Sequence, residues 1–475
     1  METQDLSDAS RRSWRAYMLV IGLVAAVLFA VQLAGMKARD SQTTPAPDAW
    51  NWVFQGDLSV KQALAGLPGV DRKDAARRAI GSYSSALPAP DAYRRIAVTK
   101  QGILNESGVE EFNKLDSPGA TKHLSGEKVR KLSEEVAMWR DIYAPGEITP
   151  AQAARFVSRV GRLDLGPLRS LAIAEVYKRS GQDAKAAAAA RKAKQRARSS
   201  VAGIIGLIAV LVVGGILGLV LAIRFLAKYG ALLRGAPRPR IQASVLVLSF
   251  LTYAIGALVL AIAAGLVLTL GGVEEEGGAD DLVYLAAQAL ASLGGLALGL
   301  AVLRALTAYT GENLREMGLK LVPFKEAAKW GIGGYLASLP FLGGGLAVTL
   351  WLSRTVFKNV PTPDQPFAPI LAMGGPAAIV LVFVLAAVIA PVVEEVFFRG
   401  ALYTALRGGM GVWPSVLLSA AIFAVGHPLP GGFLLILVLG SVLALVREKT
   451  GSLLPSIVCH AVYNTVLLSF VMIIY

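Results

Sequence analysis

From residue 200 to its end, the sequence repeats long apolar stretches separated by short polar connections. An α-helix needs about 20 consecutive apolar residues to cross the hydrocarbon core of a bilayer. The chain is therefore predicted to be all-α, a polytopic transmembrane helical bundle. The eight stretches lie at approximately 201–223, 242–270, 282–303, 330–352, 368–392, 412–427, 432–446 and 452–475.

A further apolar stretch, Tyr17 to Met36, lies near the amino terminus and has basic residues on both sides. It is longer than the apolar core of a signal peptide, and no small-residue cleavage site follows it. Residues 1–36 are therefore predicted to be an uncleaved membrane anchor, with a signal peptide as the alternative. Together with the later stretches, this anchor gives about nine transmembrane helices.

Residues 37–199 differ in composition, because they are polar, charged and rich in helix-forming residues. Thr149 followed by Pro150 is a typical start of a helix. The segment "LAIAEVYKRSGQDAKAAAAARKAKQRA" resembles one tetratricopeptide-type hairpin, but solenoids need about three repeats. Residues 37–199 are thus predicted to form a helical extramembrane domain, and residues 200–475 the membrane domain.

Composition and charge agree with a membrane protein. Only 17% of the residues are charged and 54% are hydrophobic, whereas a soluble protein carries about 25% charged residues. The net charge of +14 is explained by Lys and Arg in the short connections between spans, so no nucleic-acid partner is expected. The single cysteine, Cys459, excludes an intrachain disulfide and a multi-cysteine metal site.

The connections also predict orientation. The segment "RFLAKYGALLRGAPRPR" and the connection 304–329 are basic, whereas "GGVEEEGGADD" between them contains neither Lys nor Arg. The positive-inside rule places the two basic connections in the cytoplasm. Counting backwards puts the 37–199 domain outside, although "ARKAKQRAR" before residue 200 is also basic. The composition, rich in Ala and Gly, favours a bacterial inner (plasma) membrane.

Polar side chains interrupt the apolar sequence after residue 390. Ionisable groups inside membrane segments usually face a protein interior or a water-filled cavity and mark function. The chain has three histidines in total, and two of them lie in this region. The three polar clusters are Glu394, Glu395 and Arg399; His427; and His460 with Asn464.

Helical spacing gives these clusters a geometry. Glu395 and Arg399 are four residues apart and share a helix face, while Glu394 is turned by about 100° from Glu395. A helical hairpin around the "RGGMG" turn would bring Glu394 and His427 to the same height. At 1.5 Å per residue, the estimated height of His460 differs from theirs by about 10 Å, which helix tilt could absorb.

A glutamate and two histidines around one point allow two kinds of chemistry. Glu394, His427 and His460 could hold Zn²⁺ and leave a position open for water. Alternatively, Glu394 could itself be the general base that activates water, with His460 or Asn464 donating to the oxyanion. Both predict hydrolysis of a peptide bond of a membrane-associated protein within the lipid bilayer.

Two functions from other classes remain alternatives. An ion- or proton-coupled transporter would use the same Glu and His residues, but it would show repeated motifs in both halves, and residues 201–300 contain none. A non-catalytic membrane scaffold would act through the 37–199 domain, which could also recruit a protein partner.

The motifs "EEVFFRG", "FAVGH" and "GSLLPSIVCHAVYN" resemble the EExxxR, FxxxH and HxxxN motifs of the CPBP family of intramembrane proteases. That family includes the type II CAAX prenyl endopeptidases and the bacterial Abi proteins. The resemblance covers roughly residues 200–475 and implies an eight-helix core and a membrane-associated or lipidated protein substrate. It leaves the metal requirement open, and the extramembrane domain is a departure from the minimal family core.

The same resemblance implies a role for each motif residue. Glu394 would activate water, with His427 beside it. His460 and Asn464 would complete the site as the oxyanion hole. The supporting residues would be Glu395 and Arg399.

Overall fold

The computed structural model describes residue 22 and residues 49–122, 126–143, 146–234, 239–270, 279–355, 376–427 and 432–474. The described residues form helices and their connections, without a strand, so the predicted all-α class is confirmed. The predicted anchor Tyr17 to Met36 lies outside the described residues apart from Gly22. The chain divides into two compact units, one mainly Gly35–Ile208 and the other mainly Ala209–Val360 with Pro366–Ser469.

The first unit consists of short amphipathic helices. Thr149 begins one of them with a capping box: its hydroxyl accepts from the N–H of Gln152, and the Gln152 side chain accepts from the N–H of Thr149. The helix start predicted at Thr149 and Pro150 is thus confirmed. The helices are Ala49–Ala65, Arg72–Ser85, Pro90–Thr99, Val109–Phe112, Pro118–Thr121, Gly126–Tyr143, Pro150–Val160 and Arg169–Arg179.

A buried ionic network ties the helices of this unit together. The Arg95 guanidinium lies 3.1 Å from Asp57 and 3.0 Å from Asp164. The Tyr83 hydroxyl donates to Asp57 over 2.6 Å. Burial raises the pKa of the Asp57 carboxyl, and the Arg95 charge and the Tyr83 hydrogen bond offset only part of that effect. Since a buried charge is tolerated only when paired, the network fixes which helix faces meet.

The helices of the membrane region correspond to the predicted stretches: each of the eight stretches contains a helix. Within the described residues, six of the helices are long and apolar enough to cross a membrane, so the chain is an integral membrane protein. Val412–Val425 and Phe433–Thr450 are shorter, with 14 and 18 residues. The six long helices are Asp183–Arg234, Ala243–Leu270, Ala279–Thr310, Phe324–Thr355, the combined segment Pro376–Gly409, and Leu454–Ile474.

Glycines allow some of these helices to approach very closely. A Cβ atom at Gly218 would lie 1.8 Å from the carbonyl oxygen of Leu336. A Cβ atom at Gly299 would lie 2.5 Å from the ring of Phe397, and that ring stacks on Tyr253 with 4.2 Å between centroids. Small residues commonly permit such backbone contact between membrane helices. The contacts at Gly299 hold the segment that carries the polar motif against its neighbours.

We call the segment Pro376–Gly409 the glutamate helix, because it carries Glu394 and Glu395. It is not a regular α-helix. Two π-helical turns, Leu385–Ile389 and Glu395–Leu402, flank the α-helical turn Ala390–Glu394. Pro391 lies in that turn. Proline has no backbone N–H, and in a regular α-helix its ring would clash with the carbonyl four residues earlier. π-Turns of this kind are frequent at functional sites.

Candidate active site

Glu395 and Arg399 form a completely buried ion pair. Arg399 Nη1 lies 2.8 Å from Glu395 Oε1, and the side chains are 1% and 0% exposed. The guanidinium also donates to the carbonyl of Gly440 over 3.3 Å and lies over the ring of Phe423, 4.2 Å from its centroid. Since two charges away from water need both each other and further hydrogen bonds, these contacts explain how the bundle accommodates the pair.

His460 is oriented by the same glutamate. Its Nδ1 lies 3.1 Å from Glu395 Oε1, and the ring is 3% exposed. Because Glu395 is paired with Arg399, its oxygen acts as an acceptor, so Nδ1 of His460 carries the hydrogen. In the neutral imidazole, Nε2 then has only a lone pair to offer. That Nε2 lies 3.7 Å from Glu394 Oε2.

His427 follows the helix Val412–Val425 and is oriented by the backbone of that helix. Its Nδ1 lies 2.8 Å from the carbonyl oxygen of Phe423. A carbonyl oxygen can only accept, so Nδ1 carries the hydrogen and Nε2 presents its lone pair. This Nε2 lies 3.9 Å from Glu394 Oε2. Both histidines therefore direct an acceptor nitrogen towards the same carboxylate oxygen.

Glu394 is the centre of this arrangement. Its side chain is 20% exposed, yet its Oε2 atom is buried and has no hydrogen-bond partner among the described residues. With both imidazoles neutral, three lone-pair atoms thus face one another. A buried acceptor without a partner is unfavourable, so the arrangement requires a donor at its centre. A water molecule supplies two hydrogens, one for the buried carboxylate oxygen and one for a histidine nitrogen.

The structure brings His460 closer to Glu394 than the sequence predicted. The sequence-based estimate placed the two residues at heights that differ by about 10 Å. That estimate measured each helix from a common membrane surface. The start of the helix Leu454–Ile474 is held by the connection before the helix Phe324–Thr355: the N–H of Leu453 donates to Gly318 over 2.9 Å and the Ser452 hydroxyl to Lys320 over 2.6 Å. Packing of this kind, which the height estimate did not include, brings His460 beside Glu394.

Asn464 bonds to the backbone of the glutamate helix. Its Nδ2 donates to the carbonyl oxygen of Ala386 over 2.6 Å. Ala386 precedes Glu394 by eight residues, which corresponds to about 12 Å along a helix. The structure therefore gathers Glu394, Glu395, Arg399, His427 and His460 around one point. It places Asn464 on the backbone of the glutamate helix.

Two residues shape the site although sequence reasoning assigned them no role. The carbonyl of Phe423 fixes the His427 tautomer, and its ring lies beneath Arg399. Gly440 accepts from Arg399, and a Cβ atom at this position would lie 3.0 Å from the Ala420 Cβ and 3.3 Å from an Arg399 nitrogen. The spacing of Phe423 to His427 was visible in the sequence. A glycine within the apolar segment "LVLGSV" was the only signal for Gly440.

The spacing of the three facing side chains is slightly wider than that of zinc ligands. Ligands at about 2.0–2.2 Å from a tetrahedral zinc lie about 3.3–3.6 Å from one another, and the N···O separations here are 3.7 and 3.9 Å. Within the described part of the chain, no group of three or more His, Cys, Asp or Glu side chains is arranged to hold a metal ion.

Comparison with known families identifies one match. Residues 376–466 match the model of the family described as type II CAAX prenyl endopeptidase Rce1-like. This segment contains all three motifs, so the resemblance drawn from them is confirmed. No curated protein and no solved structure matches the chain.

Proposed function

We propose that this chain is an intramembrane endopeptidase of the CAAX type, which hydrolyses a peptide bond of a membrane-associated or lipidated protein. The observation that carries the proposal is the group of three lone-pair atoms on Glu394, His427 and His460. They surround a buried point on membrane-spanning helices, where a water molecule is the simplest occupant. The family match over residues 376–466 supports the same class of reaction.

In the proposed reaction, the water donates one hydrogen to Glu394 Oε2 and the other to a histidine Nε2. Glu394 takes the first proton as the water oxygen attacks the carbonyl carbon of the scissile bond. The protonated Glu394 then donates to the leaving nitrogen as the C–N bond breaks. This returns Glu394 to its carboxylate form, and the two products are a carboxylic acid and an amine. General base catalysis of this kind contributes about 10²–10⁴-fold to the rate.

The histidines act as acceptors in this proposal. With the hydrogen on Nδ1 because of the contacts to Glu395 and Phe423, either Nε2 can accept the second hydrogen of the water, but neither can donate to an oxyanion. We therefore assign water positioning to both rings, rather than the oxyanion role that the resemblance implies for His460. Arg399 supports them indirectly, because its charge keeps Glu395 an acceptor for His460 Nδ1.

Removal of metal should leave the activity intact, because Glu394 rather than a metal ion activates the water in this proposal. Protein purified in detergent and treated with a chelator is expected to keep its cleavage rate and to contain much less than one zinc per chain by elemental analysis. A zinc peptidase treated in parallel serves as the positive control. If the chelator abolishes cleavage and zinc restores it, the side chains close around a metal and the water-only mechanism is wrong.

A comparison of membrane proteomes tests the function itself. Cells that carry Glu394→Ala are expected to lack at least one protein fragment that wild-type cells contain, because the variant has no base. The control is Glu326→Ala, at an exposed glutamate in the helix Phe324–Thr355, which should leave all fragments unchanged. Identical fragments in the Glu394→Ala and wild-type membranes, with both proteins equally abundant, would contradict the protease function.

We further propose a bacterial inner membrane as the location, with residues 37–199 on its outer side. The acidic connection "GGVEEEGGADD" lies between two basic ones, and this asymmetry supports that orientation. The helical domain is then available to recruit a substrate or a partner protein before cleavage.

A further inference from the structure

The glutamate helix contains a carbonyl group that its own backbone cannot satisfy. In the π-turn Leu385–Ile389, the N–H of Ala390 donates to Leu385, five residues earlier. Continuing this register, Ala386 would accept from residue 391, but that residue is Pro391 and has no N–H. Within this fully described stretch, the carbonyl of Ala386 is therefore left without a helical donor.

Asn464 supplies the missing hydrogen. Its Nδ2 lies 2.6 Å from Ala386 O, and the side chain is half-buried in the helix Leu454–Ile474. A backbone carbonyl in a membrane needs a partner, because lipid offers none. One turn earlier, the same helix presents His460 to Glu394 and Glu395. The helix thus holds the glutamate helix at two points on either side of Pro391.

The π-turn determines which glutamate faces the histidines. A π-turn adds one residue relative to an α-helix, and one residue corresponds to a rotation of about 100°. Glu394 and Glu395 are themselves neighbours about 100° apart. If the turn relaxed to α-helical register, the residues after it would rotate by about one position. Glu394 would then leave His427 and His460, and Glu395 would leave Nδ1 of His460.

We propose that Asn464 is a positioning residue: its amide replaces the backbone donor that Pro391 lacks and locks the π-turn, so that Glu394 faces the two histidines. This role differs from donation to an oxyanion, because Asn464 acts through the backbone of the glutamate helix. The part of the proposal that concerns activity depends on the proposed protease function. The part that concerns the hydrogen bond does not.

A double-mutant cycle with Pro391 tests this role. Asn464→Ala alone is expected to lower the Tm by about 2–4 °C and to lower kcat by about tenfold, with little change in KM. Pro391→Ala restores a backbone N–H that can donate to Ala386, so Asn464 becomes redundant. In the Pro391→Ala background, Asn464→Ala should therefore lower Tm and kcat by less than half as much as it does in the wild type.

The control is Thr465→Ala, at the exposed neighbouring position whose hydroxyl bonds only to Ala461 of its own helix. It should leave Tm, kcat and KM unchanged in both backgrounds. If Asn464 were an oxyanion donor, Asn464→Ala would lower kcat by about 10²–10³-fold equally in both backgrounds, and the positioning role would be wrong. If no variant or wild type cleaves any substrate, the protease function fails and the Tm values alone decide the proposal.

Discussion

Replacing Glu394 by glutamine is expected to lower the rate of peptide cleavage by at least about 10³-fold, within the range for loss of a general base. Glutamine has nearly the same shape, and Glu394 Oε2 has no hydrogen-bond partner among the described residues. The Tm should therefore stay close to that of the wild type. The measurement is kcat on a substrate identified from the membrane proteome, with Tm recorded on the same preparation.

Further variants separate loss of the base from a general disturbance. Glu326→Gln, on the exposed first turn of its helix, should keep the wild-type rate. Adding His427→Ala to Glu394→Gln should reduce the rate much less than His427→Ala does alone, because residues that act on one water are not additive. A Glu394→Gln protein that retains more than about a tenth of the wild-type rate would show that another group activates the water.

Arg399→Met is expected to destabilise the protein by about 3–5 kcal/mol, the range for breaking one partner of a buried ion pair. The variant leaves the Glu395 carboxylate at 0% exposure with only His460 beside it. The Gly440 carbonyl also loses a donor. The measurement is the free energy of unfolding in detergent, from the denaturant midpoint.

The double variant Glu395→Gln with Arg399→Met removes both charges and should recover most of the lost stability. Arg315→Met, at an exposed arginine, is the surface control and should change stability by less than about 0.5 kcal/mol. If Arg399→Met and the double variant lose equal free energy of unfolding, the stability depends on packing of Arg399 on Phe423 rather than on charge pairing.

Local features of the sequence predicted the membrane helices well. Each of the eight later apolar stretches contains a helix, and six of those helices among the described residues are long enough to span a membrane, because a spanning helix is defined by its own residues and not by its partners. The pairing of Glu395 with Arg399 was also accessible, since both lie on one helix. Thr149 and Pro150 predicted a helix start for the same reason.

The features that the sequence did not predict depend on contacts between distant segments. The network of Asp57, Arg95 and Asp164 joins positions 38 and 69 residues apart. His460 orients on Glu395 from 65 residues away. Such contacts follow from how the helices pack, which periodicity does not encode.

Pro391 shows the limit of local reasoning most clearly. A proline in an apolar helix predicts a kink, and it was visible in the first motif. Its consequence is that the carbonyl of Ala386 has no backbone donor. This becomes visible only once the backbone hydrogen bonds are assigned. The partner, Asn464, was recognised from its motif but for a different role.

The short helix Val412–Val425 links the proposed chemistry to the thickness of the bilayer. Its 14 residues span about 21 Å, less than the roughly 30 Å of a typical hydrocarbon core. Hydrophobic mismatch of this size thins the surrounding lipid or leaves a polar helix end within it. His427 follows the carboxyl end of this helix, so if that end lies within the lipid, thinner lipid would shorten the path of water to Glu394. Acyl-chain length in the host membrane would then act as a determinant of the cleavage rate, in addition to the side chains of the site.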